Sequence, residues 1–126
     1  MKLLLDTPIL LWWLADDSRL PSSGRQLLTD PDNEVHVSVV SLWEIAIKTS
    51  KGKLRANLHE VSSQIEVDGF IVLPIAAYHV LTFSQLPRYH GDPFDRMLVA
   101  QVLSEPMRLL THDTTLLSYS ELVMLV

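Results

Sequence analysis

Apolar residues follow two rhythms along this chain. Short unbroken runs, KLLL at 2–5, FIVLPI at 70–75, RLLT at 108–111 and VMLV at 123–126, predict buried strands. EVHVS at 34–38 alternates apolar and polar positions, which also predicts a strand. Between these runs the apolar spacing becomes helical, in PILLWWLA at 8–15, SSGRQLLTD at 22–30, SLWEIAIKTSKGK at 41–53 and NLHEVSSQIEVDG at 57–69. It recurs in AAYHVLTFSQL at 76–86 and DPFDRMLVAQVL at 92–103. Pro8 suits the first turn of its helix, Gly52 and Gly69 suit helix ends, and DPDN at 30–33 predicts a turn. Strands alternating with helices predict βαβ units: an α/β fold with a central parallel sheet flanked by helices.

No repeat, linker or low-complexity tract divides the chain, and 126 residues suit one domain, so a single domain over 1–126 is expected. A hydrophobic fraction of 48% supports a packed core. With no cysteine, disulfides and thiolate metal sites are excluded. The apolar run at 9–15 is too short to span a bilayer, and Asp6 interrupts any resemblance of the start to a secretion signal. A soluble, cytoplasmic protein without a membrane segment is expected. The formal net charge of -5 argues against broad phosphate binding, unless the acids are concentrated where a cation offsets them.

The acids are placed in that way. Asp6 follows KLLL, and Asp113 lies just beyond RLLT, so both fall at carboxyl ends of predicted strands, where ligands collect in open parallel sheets. Glu44 lies early in the helix after EVHVS, and Asp95 lies in the first turn of the helix begun by Asp92. Each has a purely local explanation. Ser41 and Glu44 match a capping box; Asp92, Pro93 and Asp95 match a cap, a first-turn proline and a charge favourable to the helix dipole. Asp6 and Asp113 match turn residues. Jointly, four carboxylates on one rim would repel each other unless a cation lay between them, and Mg²⁺ or Mn²⁺ suits such oxygen donors. Asp92 is assigned to helix capping.

The segments LLLDTPILLWWL, SVVSLWEIAIK with GKL, LPI, HGDPFDRMLVAQ and LLTHD occur in this order and span nearly the whole chain. In them the chain resembles the PIN-domain family and, within it, the VapC-type ribonuclease toxins of toxin–antitoxin pairs. The resemblance implies a PIN-like fold and a Mg²⁺- or Mn²⁺-dependent endoribonuclease that leaves 5′-phosphate and 3′-hydroxyl ends. It carries the catalytic and metal-binding roles to Asp6, Glu44, Asp95 and Asp113, with hydroxyls beside them at Thr7 and Thr111. It also implies an RNA substrate, a homodimer and a cognate antitoxin. Two positions depart from the pattern: Pro8 stands where His is common, and Gly91 where Arg is common, which removes one possible phosphate contact.

Other classes fit less well. The four glycines are too dispersed for a P-loop or a dinucleotide fingerprint, and neither HExxH nor G-x-S-x-G occurs. A phosphoacceptor receiver domain needs a late lysine, whereas the last lysine is Lys53. An inactive binding module with the same fold is the remaining alternative. Trp12, Trp13 and Trp43 are assigned to core or dimer packing, and His90 and His112 to the rim of the acidic site. Arg96 is left between a phosphate contact and an acid partner. Lys48 and Lys51 are placed either to offset the acidic pocket or on a solvated face, and the second reading is preferred.

Overall fold

Three leucines set the frame. In the computed structural model, which describes residues 1–126, Lys2–Leu5 form β1. Leu3 and Leu5 pack into one apolar cluster and Leu4 into another, so β1 is buried on both faces. β1 pairs in parallel with β2 (Glu34–Ser38) on one side and β4 (Arg108–Thr111) on the other. β3 (Ile71–Leu73) and β5 (Val123–Leu125) complete a five-stranded parallel sheet, ordered β3-β2-β1-β4-β5. The chain builds from β1 outward to β3, then crosses to the other side of β1 for β4. The order therefore reverses at the carboxyl ends of β1 and β4, where such sheets place their sites.

The expected elements form, with shifted ends. α1 spans Thr7–Leu14, α2 Ser22–Thr29, α3 Val39–Ser50, α4 Leu58–Val67, α5 Ala77–Ser84 and α6 Pro93–Ser104. β3 stops at Leu73, short of the expected run, because Pro74 has no N–H for the ladder. A 3₁₀ helix at Thr114–Ser118 was not anticipated. α3 starts earlier than expected: Ser38, the last residue of β2, is its cap and accepts from Val40 N at 3.0 Å. The Ser41–Glu44 capping box is therefore incorrect; both residues lie inside the helix and are buried.

Helices cover both sheet faces. Ile9 and Leu10 of α1, Leu28 of α2, Ile45 of α3 and Val61 and Ile65 of α4 join Leu3 and Leu5. Leu98, Val99 and Val102 of α6 join Leu4 and Leu109 on the other face. No helix is long and apolar enough to cross a membrane.

Candidate active site

The register that aligns Leu5 with Leu110 puts Asp6 beside Thr111. Asp6 N donates to Leu110 O at 3.1 Å, prolonging the ladder by one bond before the chain turns into α1. The Asp6 carboxylate is 2% exposed. Its Oδ1 caps α1 by accepting from Ile9 N at 3.0 Å, and its Oδ2 accepts from the Thr111 hydroxyl at 2.6 Å. Burial pushes the Asp6 pKa up to about 7; the two hydrogen bonds oppose this, and the charges of Asp95 and Glu44 add to it.

Glu44, 4% exposed, approaches from α3. Its Oε1 lies 2.7 Å from Thr7 Oγ1, which is also 3.0 Å from Ser41 Oγ. Its Oε2 accepts from Lys48 Nζ at 2.5 Å. Lys48 therefore offsets the acidic site while its side chain stays exposed, so both readings of it hold. The Glu44 hydrogen bond comes first, ahead of the charges of Asp92 and Asp95, in raising the Lys48 pKa.

The third acid comes from α6. Asp92 Oδ1 accepts from Phe94 N at 2.9 Å and Asp95 N at 3.1 Å, which is the expected N-cap. The Asp95 side chain is thereby left for other contacts. Burial first, then the charges of Asp92 and Glu44, push its pKa up to about 6, against the opposing pull of His90. The charges of Asp95 and Glu44 thus act on Asp6, and that of Glu44 acts on Asp95, which groups the three acids as a triangle.

Asp113 stands apart from that triangle. It is exposed, and its Oδ1 accepts from Thr115 N at 3.0 Å and Thr115 Oγ1 at 2.8 Å, capping the 3₁₀ helix. Its backbone N–H does reach the site, donating to Thr111 Oγ1 at 3.0 Å. As the side chains stand, no three Asp, Glu or His groups are gathered closely enough to hold one ion. The donor set nevertheless fits a hard divalent cation. It offers only oxygen ligands, and the raised pKa values of Asp6 and Asp95 record crowding and burial that a cation would relieve.

The surrounding residues divide the remaining expectations. His90 lies at the rim, with Nδ1 2.7 Å from the Tyr119 hydroxyl and Nε2 3.6 Å from Asp95 Oδ2. Tyr119 carried no signal in the sequence. His112 packs against Trp12, with ring centroids 5.6 Å apart. Arg96 meets neither proposed partner: it is buried, its guanidinium lies 4.9 Å over the Phe83 ring, and Nη2 donates to Leu86 O at 3.4 Å. Trp13 packs on Phe70 and bonds Asp68, whereas Trp43 is 58% exposed and meets Phe94 edge-on at 5.3 Å. Core packing therefore does not describe Trp43.

Comparison with known proteins places these features in context. The sequence model of the PIN domain matches residues 3–122. Ribonuclease VapC22 of Mycobacterium tuberculosis is 29% identical over 122 residues, covering 92% of this chain and 90% of that protein. Among solved structures, VapBC2 from Rickettsia felis bound to a promoter DNA fragment superposes with a TM-score of 0.73 at 14% identity, covering 100% of this chain and 98% of that one. A toxin–antitoxin complex from Klebsiella pneumoniae gives 0.68 at 16% identity, with coverage of 96% and 94%. VapBC-1 from nontypeable Haemophilus influenzae gives 0.63 at 20% identity, with coverage of 94% and 91%. At these identities the structural matches speak to the fold.

Proposed function

Because this chain belongs to the PIN-domain family, whose sequence model spans residues 3–122, we propose that it is an endoribonuclease toxin of a toxin–antitoxin pair. The observation that carries the reading is the triangle of Asp6, Glu44 and Asp95 at the reversal point of the sheet, with two of its members driven toward protonation. The similarity to a protein named as a ribonuclease supports hydrolysis of RNA. The solved relatives that are toxin–antitoxin complexes support an antitoxin partner.

Asp6, Glu44 and Asp95, with Asp113 directly or through water, are the residues that would hold Mg²⁺ or Mn²⁺. Such an ion supplies positive charge for the phosphate and acidifies a water molecule. The chain's own groups prepare this chemistry. Thr111 and the Ile9 N–H fix both Asp6 oxygens, Thr7 fixes one Glu44 oxygen, and Asp92 fixes the backbone that presents Asp95. Attack of a water oxygen on phosphorus, with O3′ leaving and taking a proton from that water, would leave 5′-phosphate and 3′-hydroxyl ends. The protein is further proposed to act in the cytoplasm as a homodimer.

The test is cleavage of single-stranded RNA by the purified protein with Mn²⁺, with EDTA, and in Asp95→Asn, followed by sequencing of the RNA ends. Cleavage that persists in EDTA, or in folded Asp95→Asn, overturns the reading.

A further inference from the structure

Lys48 and Glu44 have the spacing of an ordinary surface pair, one turn apart on α3. Their surroundings are different. The Glu44 side chain is 6% exposed, the Lys48 side chain 47% exposed, and the ammonium reaches inward to close on Oε2 at 2.5 Å. Asp92, the cap of α6, and Asp95, in its first turn, also act on that ammonium. Lys48 is the only Lys or Arg side chain paired with an acid of the triangle; the other such pairs, Arg19–Asp17 and Arg25–Asp16, lie elsewhere. Thr7 holds Oε1 of Glu44 through a neutral hydroxyl, whereas Lys48 places a full positive charge on Oε2, the oxygen where a second cation would meet it.

This inference rests on the metal-dependent reading above. We propose that Lys48 is an exchangeable counter-cation: it holds Glu44 while no divalent ion is bound, and must release Oε2 before Glu44 can ligate one. The physical reason is charge balance. A buried carboxylate facing two others is costly without a positive partner, and a lysine on the same helix provides one at a fixed distance. A divalent ion brings more charge and displaces it. The flexible stem lets the ammonium swing out to solvent without disturbing α3. Lys48 is thus a positioning residue that sets metal affinity and keeps the metal-free site folded.

Three measurements without RNA test this. Mn²⁺ titration by calorimetry should show Lys48→Met binding roughly tenfold or more tightly than the wild type, since a competing charge is gone, while Lys48→Arg stays near wild type. Thermal unfolding should show Lys48→Met less stable than wild type in EDTA, with the gap closing at saturating Mn²⁺. On the unaltered protein, acylation of Lys48 by an amine-reactive reagent, mapped by mass spectrometry, should accelerate when Mg²⁺ is added. That last readout stands even if the variants fail to fold. Equal or weaker Mn²⁺ binding by folded Lys48→Met, or a Lys48 acylation rate unmoved by Mg²⁺, overturns the proposal while RNA cleavage by the wild type leaves the nuclease reading intact. Failure of the wild type both to take up Mn²⁺ and to cleave RNA overturns the two together.

Discussion

Asp92 and Asp95 lie three positions apart, yet their carboxylates do different work. Asp92 closes the end of α6 through two backbone N–H groups, while Asp95 is crowded by Asp92 and Glu44. Replacing Asp92 by Ala should lower stability by roughly 0.5–2 kcal/mol. Its effect on Mn²⁺ affinity should be much smaller than that of Asp95→Ala; calorimetry with and without Mn²⁺ reads both, and a large metal defect at unchanged stability would reverse the two roles. Asp95→Asn should raise the unfolding temperature in EDTA at neutral pH, since it removes a disfavoured charge, while abolishing cleavage. The same shifts set a pH dependence. Asp6 and Asp95 bind protons more tightly when folded, at about 7 and about 6, than the ordinary aspartate carboxyl does at 3.8. Their contribution to stability is full below pH 3.8 and is lost as pH rises to about 7. Stability in EDTA should therefore fall with rising pH across that window, by a few kcal/mol in order of magnitude, and Mn²⁺ should flatten the slope. A flat EDTA profile would contradict the buried, crowded environment. The sequence exposed the Asp92–Asp95 division because capping has a positional signature. It hid Lys48 because spacing alone cannot distinguish a buried Glu44 from an exposed one, and it hid the fate of Arg96 because Phe83 and Leu86 meet it only through the packing of α5 and its following loop.

At the scale of elements, the site depends on how α3 and α6 are set against the sheet, since they carry Glu44 and Asp95. A buried side chain ties them together. Gln101 of α6 accepts from the Ser38 hydroxyl, which also caps α3, at 2.5 Å, and donates to Pro74 O at 3.3 Å. Its amide also lies 3.4 Å from His79 Nδ1, which accepts from Ala76 N at 2.9 Å; burial lowers the His79 pKa. The ring thus stays neutral with its Nε2 proton toward Glu105, 3.1 Å away. Gln101→Leu keeps the bulk but leaves the Ser38 hydroxyl proton and Pro74 O without their partner, so a loss of roughly 1–3 kcal/mol is expected in denaturant unfolding. A reduced RNA cleavage rate at saturating Mn²⁺ should accompany it, because the α3–α6 spacing relaxes; unchanged stability would show that the network is dispensable. Helix and strand identities were legible because apolar periodicity follows burial, and β1 buries both faces. The boundaries were less so. Ser38 sits three residues before Ser41, and both precede plausible helix, so the choice between them depends on where β2 leaves the sheet. The 3₁₀ helix is too short for its periodicity to register.

For the whole molecule, the sheet reversal gathers carboxylates at one edge of a chain whose net charge is already -5. Without a cation that edge repels RNA, and the chain offers little long-range attraction to compensate. Under the proposed function, positive charge at the edge would set RNA binding, and Lys48 illustrates that a side-chain cation can supply it at Glu44. An antitoxin could use the same chemistry from outside. Arginine suits the task better than lysine, because its planar fork can engage paired carboxylates and stays charged. It would satisfy the acids without the acidified water that hydrolysis needs. The antitoxin tail should then compete with Mn²⁺, and excess metal should weaken inhibition. The measurement is inhibition of RNA cleavage by an arginine-bearing tail peptide across a Mn²⁺ titration at fixed ionic strength. The inhibition constant should rise in step with metal occupancy, and an Arg→Gln peptide should lose most of its potency. An inhibition constant independent of Mn²⁺ would place the antitoxin away from the acids, covering the path of the RNA. Lys48→Met sharpens the distinction. If tail and lysine contend for the same oxygen of Glu44, the variant binds the peptide more tightly than wild type in EDTA; equal affinity in both would mean that the tail and Lys48 act on different oxygens.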